Sequence, residues 1–225
     1  METKSPYDII INENNSLIMV IREWLPTEST IARLSMTDPT IRDKYVTQEQ
    51  LWKACETDLK DEFKQYEVAT PVGPIPAPIL VCATGDDKKL RYHSYGGRAK
   101  VPMLPWNPLI KNLRDRIELE SGISTNSCLA LKYRDGHDSL GLHKDKELIF
   151  PNNVVITVSL GQERTFVVER NSDKHKVRTV LRSGDLCLQA YDTQLHYRHG
   201  VFKEKKVEAS RYALTFRELG GVNLR

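Results

Sequence analysis

Cysteine is scarce in this chain and badly placed for chemistry. The four residues, Cys55, Cys82, Cys128 and Cys187, are scattered, and no two share the C-x-x-C spacing of a zinc knuckle or a redox pair. A disulfide framework is excluded on the same ground, and free thiols of a reducing compartment, cytoplasm or nucleus, are expected. No apolar run approaches the roughly 20 residues of a membrane span, and Met1–Pro6 lacks the apolar stretch of a secretory leader, so no membrane partner is expected. Charge of one sign is not in excess: 33 basic against 30 acidic residues give a net charge of +3, which permits a polyanionic partner without demanding one. Internal repeats and low-complexity segments are also missing. What remains is an ordinary globular chain, long enough for one full core and read as a monomer.

The chain changes character along its length. Tyr7–Ile11 reads as a short strand. Asn14-Asn15-Ser16 would cap a helix running to Leu25, which Pro26 stops. Trp52, Cys55, Leu59, Phe63 and Tyr66 recur at three- and four-residue steps, so the pattern predicts an amphipathic helix over 48–67. Prolines 71, 74, 76 and 78 read as an extended linker or a lip beside a groove. They divide an N-terminal helical extension, residues 1–70, from a domain over 71–225. Pro105-Trp-Asn-Pro108 leads a helix that Gly122 stops. From Ser127 onward, short runs rich in β-branched and aromatic residues alternate with turn-formers. Helices first and many strands afterwards give an α+β fold, with helices packed on a β double sheet.

Histidine and aspartate carry the chemistry. His143 and Asp145 lie two apart, so an extended segment points both to one side, where they can grip one ion. A second imidazole from a distant strand completes the set that binds Fe(II) on one face and leaves the other open. His196 and His199 both stand where that strand would be.

Five features then follow in order: Tyr133-Arg-Asp-Gly136, His143-Lys-Asp145-Lys-Glu147, Ser159-Leu-Gly161, Ser183-Gly-Asp-Leu186, and His196-Tyr-Arg-His199-Gly200 ahead of Ser210-Arg211-Tyr-Ala-Leu-Thr-Phe-Arg217. In this order they resemble the AlkB family of Fe(II)/2-oxoglutarate dioxygenases, over residues 80–217. The resemblance implies a double-stranded β-helix, a jelly-roll core with supporting N-terminal helices. It implies Fe(II), 2-oxoglutarate as co-substrate and O2, with His143, Asp145 and His199 as catalytic metal ligands and His199 preferred over His196. It assigns Tyr133, Arg211 and Arg217 to 2-oxoglutarate; a spacing of six puts both arginines on one strand face, with Tyr212, Leu214 and Phe216 on the other. Tyr92, Tyr95 and Glu147 match the region that clamps the substrate base, and Arg98, Lys100, Lys144, Lys146 and the Lys203–Lys206 run are candidate phosphate contacts.

The implied activity is oxidative demethylation of methylated nucleic acid, DNA or RNA, at bases of the 1-methyladenine and 3-methylcytosine type. Two departures bear on it. Leu131 and Ala213 stand where the family places asparagines that help hold 2-oxoglutarate. They leave open an oxygenase of another substrate, or a silent nucleic-acid-binding relative.

Overall fold

Asn14 and Asn15 both adopt φ of +51°, the left-handed pair that a two-residue type I′ hairpin requires. The chain therefore reverses there, and β1 (Tyr7–Glu13) pairs antiparallel with β2 (Ser16–Ile21). This corrects the expected helix over 16–25: Leu17-Ile18-Met19-Val20-Ile21 alternates in burial with the two-residue period of a strand. The computed structural model describes residues 6–93, 99–145 and 154–220.

After β2 come α1 (Glu28–Leu34) and α2 (Gln48–Glu56). A capping box opens α2, Thr47 accepting from the Gln50 backbone and Gln50 from the Thr47 backbone. The helix is shorter than the predicted span of 48–67. Thr57 turns its hydroxyl back onto the Lys53 carbonyl, and Leu59 and Phe63 reach the same core from a short 3-10 turn. The proline-rich stretch is a ribbon rather than a linker: among the described residues β3 (Glu67–Thr70) and β4 (Gly73–Pro76) pair only with each other, the edge situation in which Pro74 and Pro76 are tolerated.

The chain continues through β5 (Leu80–Gly85), β6 (Arg91–His93) and β7 (Ala99–Leu104) to α3 (Pro108–Ser121). Asn107 caps α3 by accepting from the Leu109 and Ile110 backbones, and Gly122 at φ +69° ends it. Then follow β8 (Ser127–Tyr133), β9 (Leu140–His143), β10 (Val155–Gly161), β11 (Arg164–Arg170), β12 (Lys176–Leu181), β13 (Leu186–Tyr191), the single turn α4 (Thr193–His196), β14 (Tyr197–Val201) and β15 (Arg211–Arg217).

Two sheets face each other. The larger runs β1-β2-β13-β10-β15-β8-β5-β7-β6, and the smaller runs β12-β11-β14-β9. One core lies between them, with Ile18, Val20, Leu131, Phe166, Val168 and Val201. A second lies between the larger sheet and helices α2 and α3, with Leu51, Cys55, Ile110, Leu113, Tyr212, Leu214 and Phe216. This is the expected jelly-roll core with helices packed outside it. The boundary expected at residue 71 is crossed by β2, which pairs with β13 along six residues, and by a bridge between Lys64 and Val81.

Candidate active site

Strand alternation builds the site. On β15, Tyr212, Leu214 and Phe216 face the helices, so Arg211, Ala213, Thr215 and Arg217 face the space between the sheets. Register extends each of these into a row across the larger sheet. Tyr133 pairs with Arg211, Leu131 with Ala213 and Ser159, Thr157 with Thr215 and Cys187, and Val155 with Gln189. The smaller sheet closes the other side with Leu140, His143, Phe166, His199 and Val201. Together they enclose about 490 Å³ free of protein atoms, part of it open to solvent.

His143 ends β9, Asp145 follows it, and β14 brings His199 opposite His143 in direct register. Donor atoms of the three residues all lie within 4.8 Å of one another. His143 Nε2 is 3.8 Å from Asp145 Oδ1, His199 Nε2 is 3.7 Å from Asp145 Oδ2, and the two imidazole centroids are 4.3 Å apart. Burial would raise the Asp145 carboxyl, but the Arg217 guanidinium 3.0 Å away, then His199 and His143, outweigh it and hold it at about 2. Burial, reinforced by His143, pushes His199 down to about 3. An ionised carboxylate between imidazoles, one of them held neutral, is the protonation state a divalent metal needs from its ligands.

The far end of the cavity is cationic. Arg211, 2 % exposed, donates from Nη2 to Ser159 Oγ at 3.0 Å and lies 5.2 Å over the Tyr133 ring. Its Nε and Nη1 are buried without a hydrogen-bond partner, and no carboxylate lies within 4 Å of it among the described residues. A buried guanidinium in that condition is a receptor for an anionic oxygen. Arg164 braces the arrangement from behind: 1 % exposed, it donates to the carbonyls of Asp135, Asp138 and Phe202 and lies 5.5 Å over the same tyrosine ring. Both donor sets therefore fit the groups the resemblance implies, a divalent iron at one end and a dicarboxylate reaching the other.

The structure brings together six of the nine sequence-level candidates: His143, Asp145, His199, Tyr133, Arg211 and Arg217. It decides between the two histidines, since His196 is exposed on α4 while His199 is buried against Phe166. Tyr92 lies on β6, whose backbone pairs with β7, and Tyr95 and Glu147 lie outside the described residues. The Lys203–Lys206 run is not uniformly solvated, because Glu204 turns inward to accept from the Thr165 backbone at 2.8 Å. Sequence reasoning missed Arg164, Ser159 as the partner of Arg211, and the buried pair Gln189 and Gln194. No local spacing marks any of them; Arg164, Ser159 and Gln189 owe their places to cross-strand register, and Gln194 to the turn α4 that follows β13.

Two imidazoles and a carboxylate gathered on one side of an arginine-ended cavity, inside a double-stranded β-helix, define a mononuclear iron oxygenase that uses a dicarboxylate co-substrate. The model of the 2OG-Fe(II) oxygenase superfamily matches residues 39–217, and the chain belongs to that superfamily, whose chemistry uses Fe(II), 2-oxoglutarate and O2. Within it the chain is AlkB-like. It is 34 % identical over 146 residues to the bovine DNA oxidative demethylase ALKBH2, covering 61 % of this chain and 52 % of that protein. It is 31 % identical over 135 residues to the human alpha-ketoglutarate-dependent dioxygenase alkB homolog 3, covering 56 % and 47 %. The chain thus spans about half the length of these relatives. The solved structure of OsALKBH1 superposes with a TM-score of 0.62 at 17 % identity, over 94 % of this chain and all of that one, and shows the shared fold. No helix among the described residues is long and apolar enough to cross a membrane.

Proposed function

We propose that this chain oxidatively demethylates N-alkylated bases of the 1-methyladenine and 3-methylcytosine type in DNA or RNA. The observation that carries the reading is a single cavity with a triad of metal donors at one end and an unpaired, buried Arg211 at the other. Similarity to ALKBH2 over 146 residues supports a nucleic-acid substrate.

His143, Asp145 and His199 would hold the metal. Fe(II), with 2-oxoglutarate and O2, supplies the oxidation that converts an N-methyl group to its hydroxymethyl form, as the co-substrate becomes succinate and CO2. The hydroxymethyl group then leaves as formaldehyde and frees the base. The protein's own residues orient and exclude. Arg211, with Tyr133 against it, takes the remote carboxylate of the co-substrate, while Arg217 keeps Asp145 ionised and aligned. Leu131, Ala213, Cys187 and Val155 line the space between with apolar surface that keeps water out. In this reading Tyr92, Tyr95 and Glu147 receive the base, which must leave the helical stack to reach the metal. Basic side chains such as Lys144 then meet the phosphates.

The test is anaerobic reconstitution with Fe(II) and 2-oxoglutarate, followed by air and an oligonucleotide carrying 1-methyladenine, with mass spectrometry of the base. Repair that disappears in His143→Ala is expected. Consumption of 2-oxoglutarate without repair of this or a 3-methylcytosine oligonucleotide would overturn the substrate assignment and leave the oxygenase.

A further inference from the structure

Two buried side-chain amides run from the cavity wall to the backbone of Asp145. The Asp145 N–H donates to Gln194 Oε1 at 2.9 Å, and Gln194 Nε2 donates to Gln189 Oε1 at 3.2 Å. Both glutamines are buried, Gln194 at 7 % exposure and Gln189 at 2 %. A carboxamide can exchange its oxygen and nitrogen by a flip, whereas a backbone N–H only donates. Asp145 therefore sets the polarity of the whole relay. Gln194 must turn its oxygen to Asp145 and its nitrogen to Gln189, and Gln189 must turn its oxygen to Gln194. The amide nitrogen of Gln189 is left over, with no hydrogen-bond partner among the described residues. Gln189 lines the cavity on β13, opposite Val155 in the register and close to the end where Arg217 lies.

We propose that Gln189 donates a hydrogen bond to an oxygen acceptor bound in this cavity. Gln194 is then a positioning residue that ties this contact to the backbone of Asp145. An amide donor on the cavity wall with no protein partner among the described residues is met by an oxygen that enters the cavity. Two sources offer one: a carboxylate of 2-oxoglutarate, which rests on family membership, and a base carbonyl, which rests on the proposed function. The guanidinium of Arg217 at the same end of the cavity favours the carboxylate.

The test uses the full chain loaded with Mn(II) and calorimetric titration of Mn(II), of 2-oxoglutarate, and of a 3-methylcytosine oligonucleotide into the loaded complex. Gln189→Leu is expected to weaken 2-oxoglutarate five- to tenfold, the loss of about one hydrogen bond, with Mn(II) affinity within twofold. Gln194→Glu keeps an acceptor for the Asp145 N–H but cannot donate, so Gln189 reverses and turns its carbonyl to the cavity. It is expected to weaken 2-oxoglutarate at least as much while leaving Mn(II) affinity undiminished. Gln194→Leu removes the acceptor and should weaken Mn(II) several-fold, a loss that Gln194→Glu rescues. Thermal melts report folding, and Gln194→Glu, which preserves volume, carries the test if Gln189→Leu does not fold. Loss confined to the oligonucleotide titration assigns the donor to a base. Affinities for both ligands within twofold of the parent in Gln194→Glu would overturn the contact. Equal loss of Mn(II) affinity in Gln194→Leu and Gln194→Glu would overturn the positioning role.

Discussion

Replacing Arg211 by methionine should make the metal-free chain more stable and its co-substrate binding much weaker. The side chain is 2 % exposed, burial lowers its basicity, and its Nε and Nη1 have no hydrogen-bond partner among the described residues. An ion held out of water without a counter-ion costs several kcal/mol, and one hydrogen bond to Ser159 and contact with the Tyr133 ring offset only part of it. Methionine keeps most of the length, fills the space between Tyr133 and Gly161, and carries no charge. A gain of about 1–3 kcal/mol is therefore expected in urea unfolding of the metal-free chain, with roughly 2–4 °C of melting temperature per kcal/mol. The same change removes a charge-assisted pair from the bound state. Co-substrate affinity of the Mn(II)-loaded chain, read by calorimetry, should then fall by about 2–4 kcal/mol, some 30- to 1000-fold. The opposite signs are the point. A methionine variant less stable than the parent would refute the claim that Arg211 is an unpaid charge awaiting a carboxylate.

Three further outcomes are expected. Leu131→Asn with Ala213→Asn, which restores the family's pattern at two residues paired directly across β8 and β15, should tighten 2-oxoglutarate by about fivefold per donor at most. The effects should not add, because the side chains share one row, and loss of the buried leucine should cost about 2 kcal/mol or more in urea unfolding. Metal-free stability should fall on acidification. His199 titrates near 6.5 when unfolded and at about 3 when folded, so the unfolded chain binds more protons between those values. Stability is complete above pH 6.5 and declines toward pH 3, by on the order of 1 kcal/mol at pH 5.5, and Asp145 adds a second loss as pH falls from 3.8 through about 2. A flat profile between pH 7 and 5 in denaturant titrations would contradict this. His199→Ala should abolish tight Mn(II) binding, whereas His196→Ala, at an exposed position, should leave it within twofold.

Local chemistry was enough for part of the protein. Asn107-Pro108 and Gly122 bracket α3 because caps act within a turn of the residues that carry them. The alternation of Arg211, Ala213, Thr215 and Arg217 with Tyr212, Leu214 and Phe216 declares a strand with one polar face, and the structure places the two sets on opposite sides. His143 and Asp145 are legible as a pair because two residues of one extended segment need no other part of the chain to point the same way. The run from Leu17 to Ile21 misled because an apolar pentapeptide satisfies a helix or a strand. Its state is settled by a hairpin at Asn14-Asn15 and by an edge of β13 that only the folded sheet provides.

The sequence by itself determined which residue types the site commands: a histidine–aspartate pair, a second imidazole downstream, and two arginines six apart on one face. Only the tertiary structure decided which histidine completes the set. Strand β14 lies beside β9, and antiparallel register delivers His199, not His196, to the side that His143 and Asp145 share. In the larger sheet, the pairing of β8 with β15 makes Leu131 and Ala213 neighbours, Arg211 lies buried with no counter-ion among the described residues, and the turn α4 strings Gln189 and Gln194 to Asp145. The β8–β15 contacts join residues far apart in the chain, Tyr133 and Arg211 at 78 positions and Leu131 and Ala213 at 82. Their energies exist only after chain closure has been met, so no local pattern encodes them.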